Sequence, residues 1–144
     1  ACRYRSGKRG FSRTGRAGDY GAAEIGRHIA SQDFETVCIA MIEDVAAIEN
    51  AEAIASVEGI DAVFIGRGDL SVAMGEFSSN APAVQQAVET IAAGVKRANK
   101  PLLYVAESQA DRAAMAGLGG TAFMVGSDLA FLRRAAAQAL SDYP

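Results

Sequence analysis

Two carboxylates, Glu43 and Asp69, each stand just past the end of an apolar run, a placement suited to ligand chemistry. Val37-Cys38-Ile39-Ala40-Met41-Ile42 stops at Glu43, and Ala62-Val63-Phe64-Ile65 stops at Gly66, with Asp69 three residues further on. One helix length of sequence separates the two runs. In a parallel α/β sheet or barrel, the carboxyl ends of the strands are where ligand sites are assembled. Two acids on neighbouring strand ends can converge on one hard divalent cation, which prefers oxygen ligands. The plainer use of such acids is to cap the next helix, and Asp69 precedes Leu70-Ser71-Val72 as a cap would. Gly66 and Gly68 favour a ligand, because they flank Arg67, admit close backbone approach and leave amide donors open to an anion. Arg67-Gly68-Asp69 also spells a cell-adhesion tripeptide, which is read as chance.

Positioning those acids requires a regular framework, and the sequence supplies one. Residues 1–18 are rich in Gly, Arg and Ser and lack periodicity, so they read as loop. Asp19 is expected to cap a helix from about Tyr20 to Ala30. After the strand Val37–Ile42, Asp44 caps a helix carrying Val45, Ile48, Ala51 and Ile54, and Gly59 closes that unit. The strand Ala62–Ile65 is followed by a predicted loop from Asp69 through Asn80. Pro82 opens a helix in which Val84, Val88, Ile91 and Val95 recur at steps of four, three and four. Leu102–Ala106 is a third strand, Ser108 to Gly117 a short helix behind a capping box, and Ala122–Val125 a fourth strand. Ser127 or Asp128 caps a last helix carrying Leu129, Leu132, Ala136 and Leu140. All four apolar runs show little alternation, which predicts parallel strands covered on both faces and right-handed crossovers. The expected fold class is α/β: four parallel βα units, the C-terminal half of a (β/α)8 TIM barrel, as one partial domain over residues 1–144. A complete barrel takes roughly 250 residues.

The bulk numbers agree with a compact domain. The 144 residues are 50% hydrophobic with a net charge of −3. Charge is uneven: residues 1–16 hold six basic groups and no acid, whereas the remainder holds eight basic against 17 acidic groups. No recognised binding fold accompanies the basic arm, which joins an acidic body, so no nucleic-acid partner is expected. No apolar run reaches the roughly 20 residues of a membrane span, and no hydrophobic stretch follows the basic arm, so a cytoplasmic setting is expected. Cys2 and Cys38 are distant in sequence, and Cys38 lies in an apolar run, so a buried reduced thiol is expected rather than a disulfide.

The segment MIEDVAAIENAEAIASVEGIDAVFIGRGDLSVAMG, residues 41–75, resembles the core signature of the HpcH/HpaI aldolase family, metal-dependent pyruvate aldolases related to citrate lyase β-type enzymes. The matching pattern is I-E, a helix ending in V-x-G-I-D-x-V-F-I-G, then x-x-D-L-S. Upstream, Ala1-Cys2-Arg3-Tyr4 and Gly7-Lys8-Arg9-Gly10 are similar to the family's A-x-R-Y-P-P-x-G-x-R-G loop. Downstream the likeness extends to Val125-Gly126-Ser127-Asp128. The resemblance covers the chain but only strands five to eight of the family's barrel.

This resemblance implies that Glu43 and Asp69 hold Mg²⁺ or Mn²⁺. It implies that Gly66, Arg67 and Gly68 shape a pocket for the carboxylate of a small 2-oxo acid, held by the amides of Gly68 and Asp69. The implied reaction is reversible cleavage of a 4-hydroxy-2-oxo acid to pyruvate and an aldehyde, in which a cation stabilises the enolate. The alternatives are a citryl- or malyl-CoA-type lyase of the same superfamily and a non-catalytic half-barrel that assembles with a partner. A Schiff-base route needs a lysine inside the barrel, and Lys8, Lys96 and Lys100 are all misplaced for it. Three departures bear on specificity: Met41 stands where the family often has Gln, Arg67 where it has proline, and Arg5-Ser6 where it has paired prolines. The family's catalytic base and its pyruvate-contacting arginine belong to the missing first half. His28 is therefore given no base role and is expected on a helix surface. Arg3 and Arg9 are equally compatible with the mouth of the site and with a solvated loop. Family members form hexamers in which the last helix packs on a neighbouring subunit, so Asp128 to Leu140 is the expected contact in a homo-oligomer. The other expected partner is the missing N-terminal half.

Overall fold

A computed structural model describes residues 2–143, so Ala1 of the N-terminal loop motif lies outside the described residues, as does Pro144. The chain forms two compact units, Ala1–Cys38 and Ile39–Pro144.

The first unit is a loop held onto a helix by polar contacts. Two short 3-10 turns, joined across a kink at Gly18, Asp19 and Tyr20 within Arg16–Gly21, precede the α-helix α1, Ile25–Glu35. The predicted start at Tyr20 is displaced because Asp19 and Tyr20 take left-handed φ values of 50° and 51°, which no helix can continue through. Glu24 caps α1 instead, accepting from the amides of Gly26 and Arg27 at 2.8 Å each. These two bonds hold its carboxyl below the ordinary range. Asp33 accepts from the amides of Tyr4 at 2.7 Å and Arg5 at 3.2 Å. Arg9 donates to the Thr36 hydroxyl at 3.2 Å and lies 4.7 Å from the centre of the Tyr4 ring.

His28 corrects an expectation, because it is buried rather than on the surface. Its Nδ1 faces the carbonyl of Ala17 and its Nε2 that of Ser12, each at 3.2 Å, beside the Tyr4 and Phe11 rings. The loop that folds back over α1 covers the imidazole. Cys2 and Cys38 are both thiols, each half-buried, with sulfurs 3.5 Å apart.

The second unit is built on a parallel sheet of β1 (Ile39–Ile42), β2 (Ala62–Ile65), β3 (Leu102–Val105) and β4 (Gly120–Met124), in that spatial order. β2 matches the expected strand, whereas β1 begins two residues late and β4 begins two residues early. Register pairs Ile42 with Ile65 and Phe64 with Leu103. Asp44 caps the next helix through the Ala46 amide at 2.8 Å. The single predicted helix is two short ones, α2 (Val45–Ile48) and α3 (Ala51–Ala55). The first part of the predicted loop after β2 is instead helical, α4 (Arg67–Ala73), and irregular backbone then leads to α5 (Pro82–Arg97). Beyond β3 lie α6 (Gln109–Gly117), capped by Ser108, and α7 (Asp128–Ser141), capped by Ser127.

The core lies between the sheet and α5. Ile42, Val63, Ile65, Leu102 and Tyr104 meet Val84, Val88, Ile91 and Val95, all at 2% exposure or less. Removing that much apolar surface from water is the main stabilising term for the unit. α5 packs closely on α3 because Gly94 has no side chain: a Cβ there would lie 3.0 Å from the Glu52 amide nitrogen and 3.1 Å from the Ala51 Cβ. The expectation of strands covered on both faces holds for β2 alone, whose four residues are all buried. Ile39 and Met41 of β1, Val105 of β3 and Met124 of β4 are exposed. The residues that alternate with them, Ile42, Leu102 and Tyr104, lie in the core. α7 has no buried residue, and its Leu129, Leu132 and Leu140 are exposed. Among the described residues no helix is long and apolar enough to cross a membrane.

Candidate active site at the ends of β1 and β2

The parallel pairing of β1 with β2 places Glu43 and Gly66 side by side, one residue past the paired Ile42 and Ile65. The Gly66 amide donates to the Ile42 carbonyl at 3.0 Å, carrying the ladder past the last strand residues. Glu43 then lies over Gly66: a Cβ at position 66 would sit 2.7 Å from the Glu43 Oε2 and 3.0 Å from its Cβ. Only glycine permits that approach. Met41, where the family often has Gln, lines the same spot, its sulfur 3.6 Å from the same Cβ position.

Asp69 lies in the first turn of α4 and is exposed, as is Gly68. Gly66 has no side chain to cap that turn, and a Cβ at Gly68 would meet nothing within 4 Å. The backbone of Gly68 is therefore open to a small ligand. Ser71, six per cent exposed, donates its hydroxyl to the Gly68 carbonyl at 2.7 Å and stiffens the turn.

Arg67 is buried between these glycines, at 5% exposure. Its guanidinium grips the Asp111 carboxylate through two bonds, of 2.8 and 2.7 Å, and donates to the Val105 carbonyl at 3.0 Å. Asp111 also accepts from the Glu107 amide at 3.0 Å. The Arg67 hydrogen bond, the largest influence, holds the Asp111 carboxyl below its ordinary range, and the Glu107 amide adds to it. The paired geometry is the strong, bidentate kind. Arg67 thus ties its turn to the end of β3 and the start of α6. Sequence reasoning gave Asp111 no part in the site, since nothing in a primary sequence links positions 44 residues apart. Ser71 was visible only as the last letter of D-L-S.

The donor chemistry suits a hard cation in part. Among the described residues no three His, Cys, Asp or Glu side chains cluster well enough to hold a metal. Glu43 and Asp69 offer two carboxylates, and an Mg²⁺-like ion is often held by one or two carboxylates with waters and substrate oxygens completing its shell. A cleft of about 420 Å³ opens beside the ends of β3 and β4, lined by Ala106, Glu107, Ser108, Gln109, Arg112 and Val125. Neither Glu43 nor Asp69 is among the residues lining it.

Comparison with known proteins places this arrangement. A sequence profile described as HpcH/HpaI aldolase/citrate lyase matches residues 2–135. A 5-keto-4-deoxy-D-glucarate aldolase from Klebsiella pneumoniae is 35% identical over 137 residues, which are 94% of this chain and 52% of that enzyme. One from Salmonella arizonae is 36% identical over the same span. The chain therefore spans about half the length of these relatives. A crystal structure of an HpcH/HpaI aldolase/citrate lyase family protein from Burkholderia cenocepacia superposes with a TM-score of 0.85 at 24% identity. It matches 98% of this chain and 56% of its own. The citrate synthase SbnG superposes with a TM-score of 0.73 at 26% identity, over 82% of this chain and 49% of its own. These neighbours are TIM-barrel proteins, so the four parallel βα units constitute half of such a barrel. The chain belongs to the HpcH/HpaI aldolase/citrate lyase family.

Proposed function

We propose that the whole protein to which this chain belongs is a divalent-metal-dependent aldolase that cleaves a 4-hydroxy-2-oxo acid to pyruvate and an aldehyde. The observation that supports this reading is a pair of acids that follow neighbouring parallel strands: Glu43, one residue past β1 and against Gly66, and Asp69, in the first turn of the helix after β2. The relatives' substrate name supports it. In 5-keto-4-deoxy-D-glucarate the ketone adjoins a carboxylate, the next carbon is deoxygenated and the one after bears a hydroxyl. Numbered from the keto end, that is a 4-hydroxy-2-oxo acid.

In this reading Glu43 and Asp69 hold Mg²⁺ or Mn²⁺, which would supply Lewis-acid stabilisation of enolate charge. The amides of Gly68 and Asp69 hold the substrate carboxylate over the open face of Gly68. Arg67, fixed by Asp111, keeps that turn in place. The lysines offer no competing Schiff base: Lys100 donates to the Ile60 carbonyl at 2.6 Å, before β2 begins, and Lys96 is exposed late in α5. The general base belongs to residues outside this chain. A citryl- or malyl-CoA-type lyase is the second reading, favoured by the family's breadth and by the citrate synthase among its structural neighbours. The exposed leucines of α7 support a homo-oligomer in which that helix packs on a neighbouring subunit.

The test uses the full-length protein, with pyruvate release coupled to lactate dehydrogenase in the presence of Mg²⁺ or Mn²⁺. Chelation should abolish activity, and Asp69→Ala should lower it by roughly 100-fold or more, as loss of a charge-stabilising group does. Undiminished turnover in that variant would exclude the proposed metal site.

A further inference from the structure

We propose that Cys2 and Cys38 are a modification site, a dithiol that closes reversibly into an intramolecular disulfide. The observation is their sulfur–sulfur distance of 3.5 Å in the thiol state, across 36 residues of sequence. A disulfide bond is about 2.05 Å long, so closure asks the two sulfurs to approach by roughly 1.5 Å.

The approach is held from both sides by contacts that do not involve sulfur. Tyr4, two residues after Cys2, gives its amide to Asp33 at 2.7 Å, and Arg5 does so at 3.2 Å. Thr36, two residues before Cys38, accepts from Arg9 at 3.2 Å, while Arg9 also covers the Tyr4 ring. The loop and the end of α1 are therefore fastened together next to each cysteine. Both side chains are half-buried, open enough for a reagent and close enough to react with one another. The six basic groups among residues 1–16 favour approach of an anionic oxidant.

The chemistry is thiol–disulfide exchange with a small-molecule disulfide as oxidant. One cysteine thiolate attacks a sulfur of that disulfide, forms a mixed disulfide and releases one small thiolate. The second cysteine attacks the protein sulfur, closes the Cys2–Cys38 bond and releases the other small thiolate. Two thiols are oxidised, one disulfide is reduced to two thiols, and the cysteine protons pass to the released thiolates through water.

The full-length protein is equilibrated with oxidised and reduced glutathione at a series of ratios, alkylated, and read by intact mass and peptide mapping. The expected result is that both thiols disappear together, with loss of two hydrogens and recovery of one cross-linked Cys2–Cys38 peptide that dithiothreitol separates. Cys2→Ser and Cys38→Ser should each accumulate the glutathione adduct that the wild type resolves. Asp33→Ala, which unfastens the loop but keeps both thiols, should raise the persistent mixed-disulfide fraction about tenfold. Independent alkylation of the two cysteines, a stable adduct on the wild type, or pairing of either cysteine elsewhere would each overturn the proposal.

Discussion

The two compact units of this chain are held by opposite means. In Ala1–Cys38, polar groups do the fastening: a carboxylate gathers two amides, an imidazole sits between two carbonyls, and an arginine lies on a tyrosine. In Ile39–Pro144, stability comes from an apolar layer between β2, β3 and α5, with the half-buried Arg67–Asp111 ion pair at its rim. Polar fastening is directional, individually modest and sensitive to pH. Apolar burial is non-directional, cumulative and indifferent to it. The candidate active site draws on both: Glu43 follows the last residue of β1, and the α4 turn that carries Asp69 is steadied by Arg67 and Asp111.

Removing apolar volume should do the most damage. Ile91→Ala, in the fully buried face of α5, should lower unfolding free energy by about 2–5 kcal/mol in urea titration. A loss under 1 kcal/mol would mean that the sheet unit does not rest on that layer. Next comes Asp111→Ala, which strands the Arg67 guanidinium at 5% exposure and should cost about 3 kcal/mol. The same change should weaken pyruvate release by freeing the Gly66–Asp69 turn; activity equal to wild type would separate the ion pair from the site.

Acid should distinguish the units without mutation. Asp33 is held below its ordinary value of 3.8, first by the Tyr4 amide. A depressed carboxyl stabilises the fold above its unfolded pKa and ceases to do so as pH falls through its folded one. Asp111 follows the same sign through Arg67. Below about pH 4, exchange of the Tyr4 and Arg5 amides should accelerate while those of β2 stay protected. Equal acceleration in both would erase the contrast. The smallest effect is expected of Tyr104→Phe. The Tyr104 hydroxyl is buried without a hydrogen-bond partner among the described residues, and burial pushes its pKa up. Removing it should leave melting within about 0.5 kcal/mol of wild type or raise it, whereas a clear loss would reveal a partner for that oxygen.

The sequence made the sheet unit readable and left the loop unit largely opaque, for physical reasons. β2 and α5 announce themselves because helix and strand burial leave a period in the apolar residues. α4, at seven residues, is too short to leave such a period, and Gly66 and Gly68 occupy its cap and second helical position, where a missing side chain costs the helix little. The metal-ligand candidates were legible from where the apolar runs stop. The buried His28, the Asp33 anchor and the Arg67–Asp111 clamp were not, since polar contacts across 11–44 residues leave no periodic trace.

Gly66 has one more consequence, for how this site can change over time. With the Glu43 oxygen only 2.7 Å from where any Cβ would lie, every other amino acid at position 66 must dislodge that carboxylate. Adaptive variation is therefore channelled to its neighbours. Met41, more than half exposed beside the same spot, is the position next to Glu43 where a side chain has room to vary.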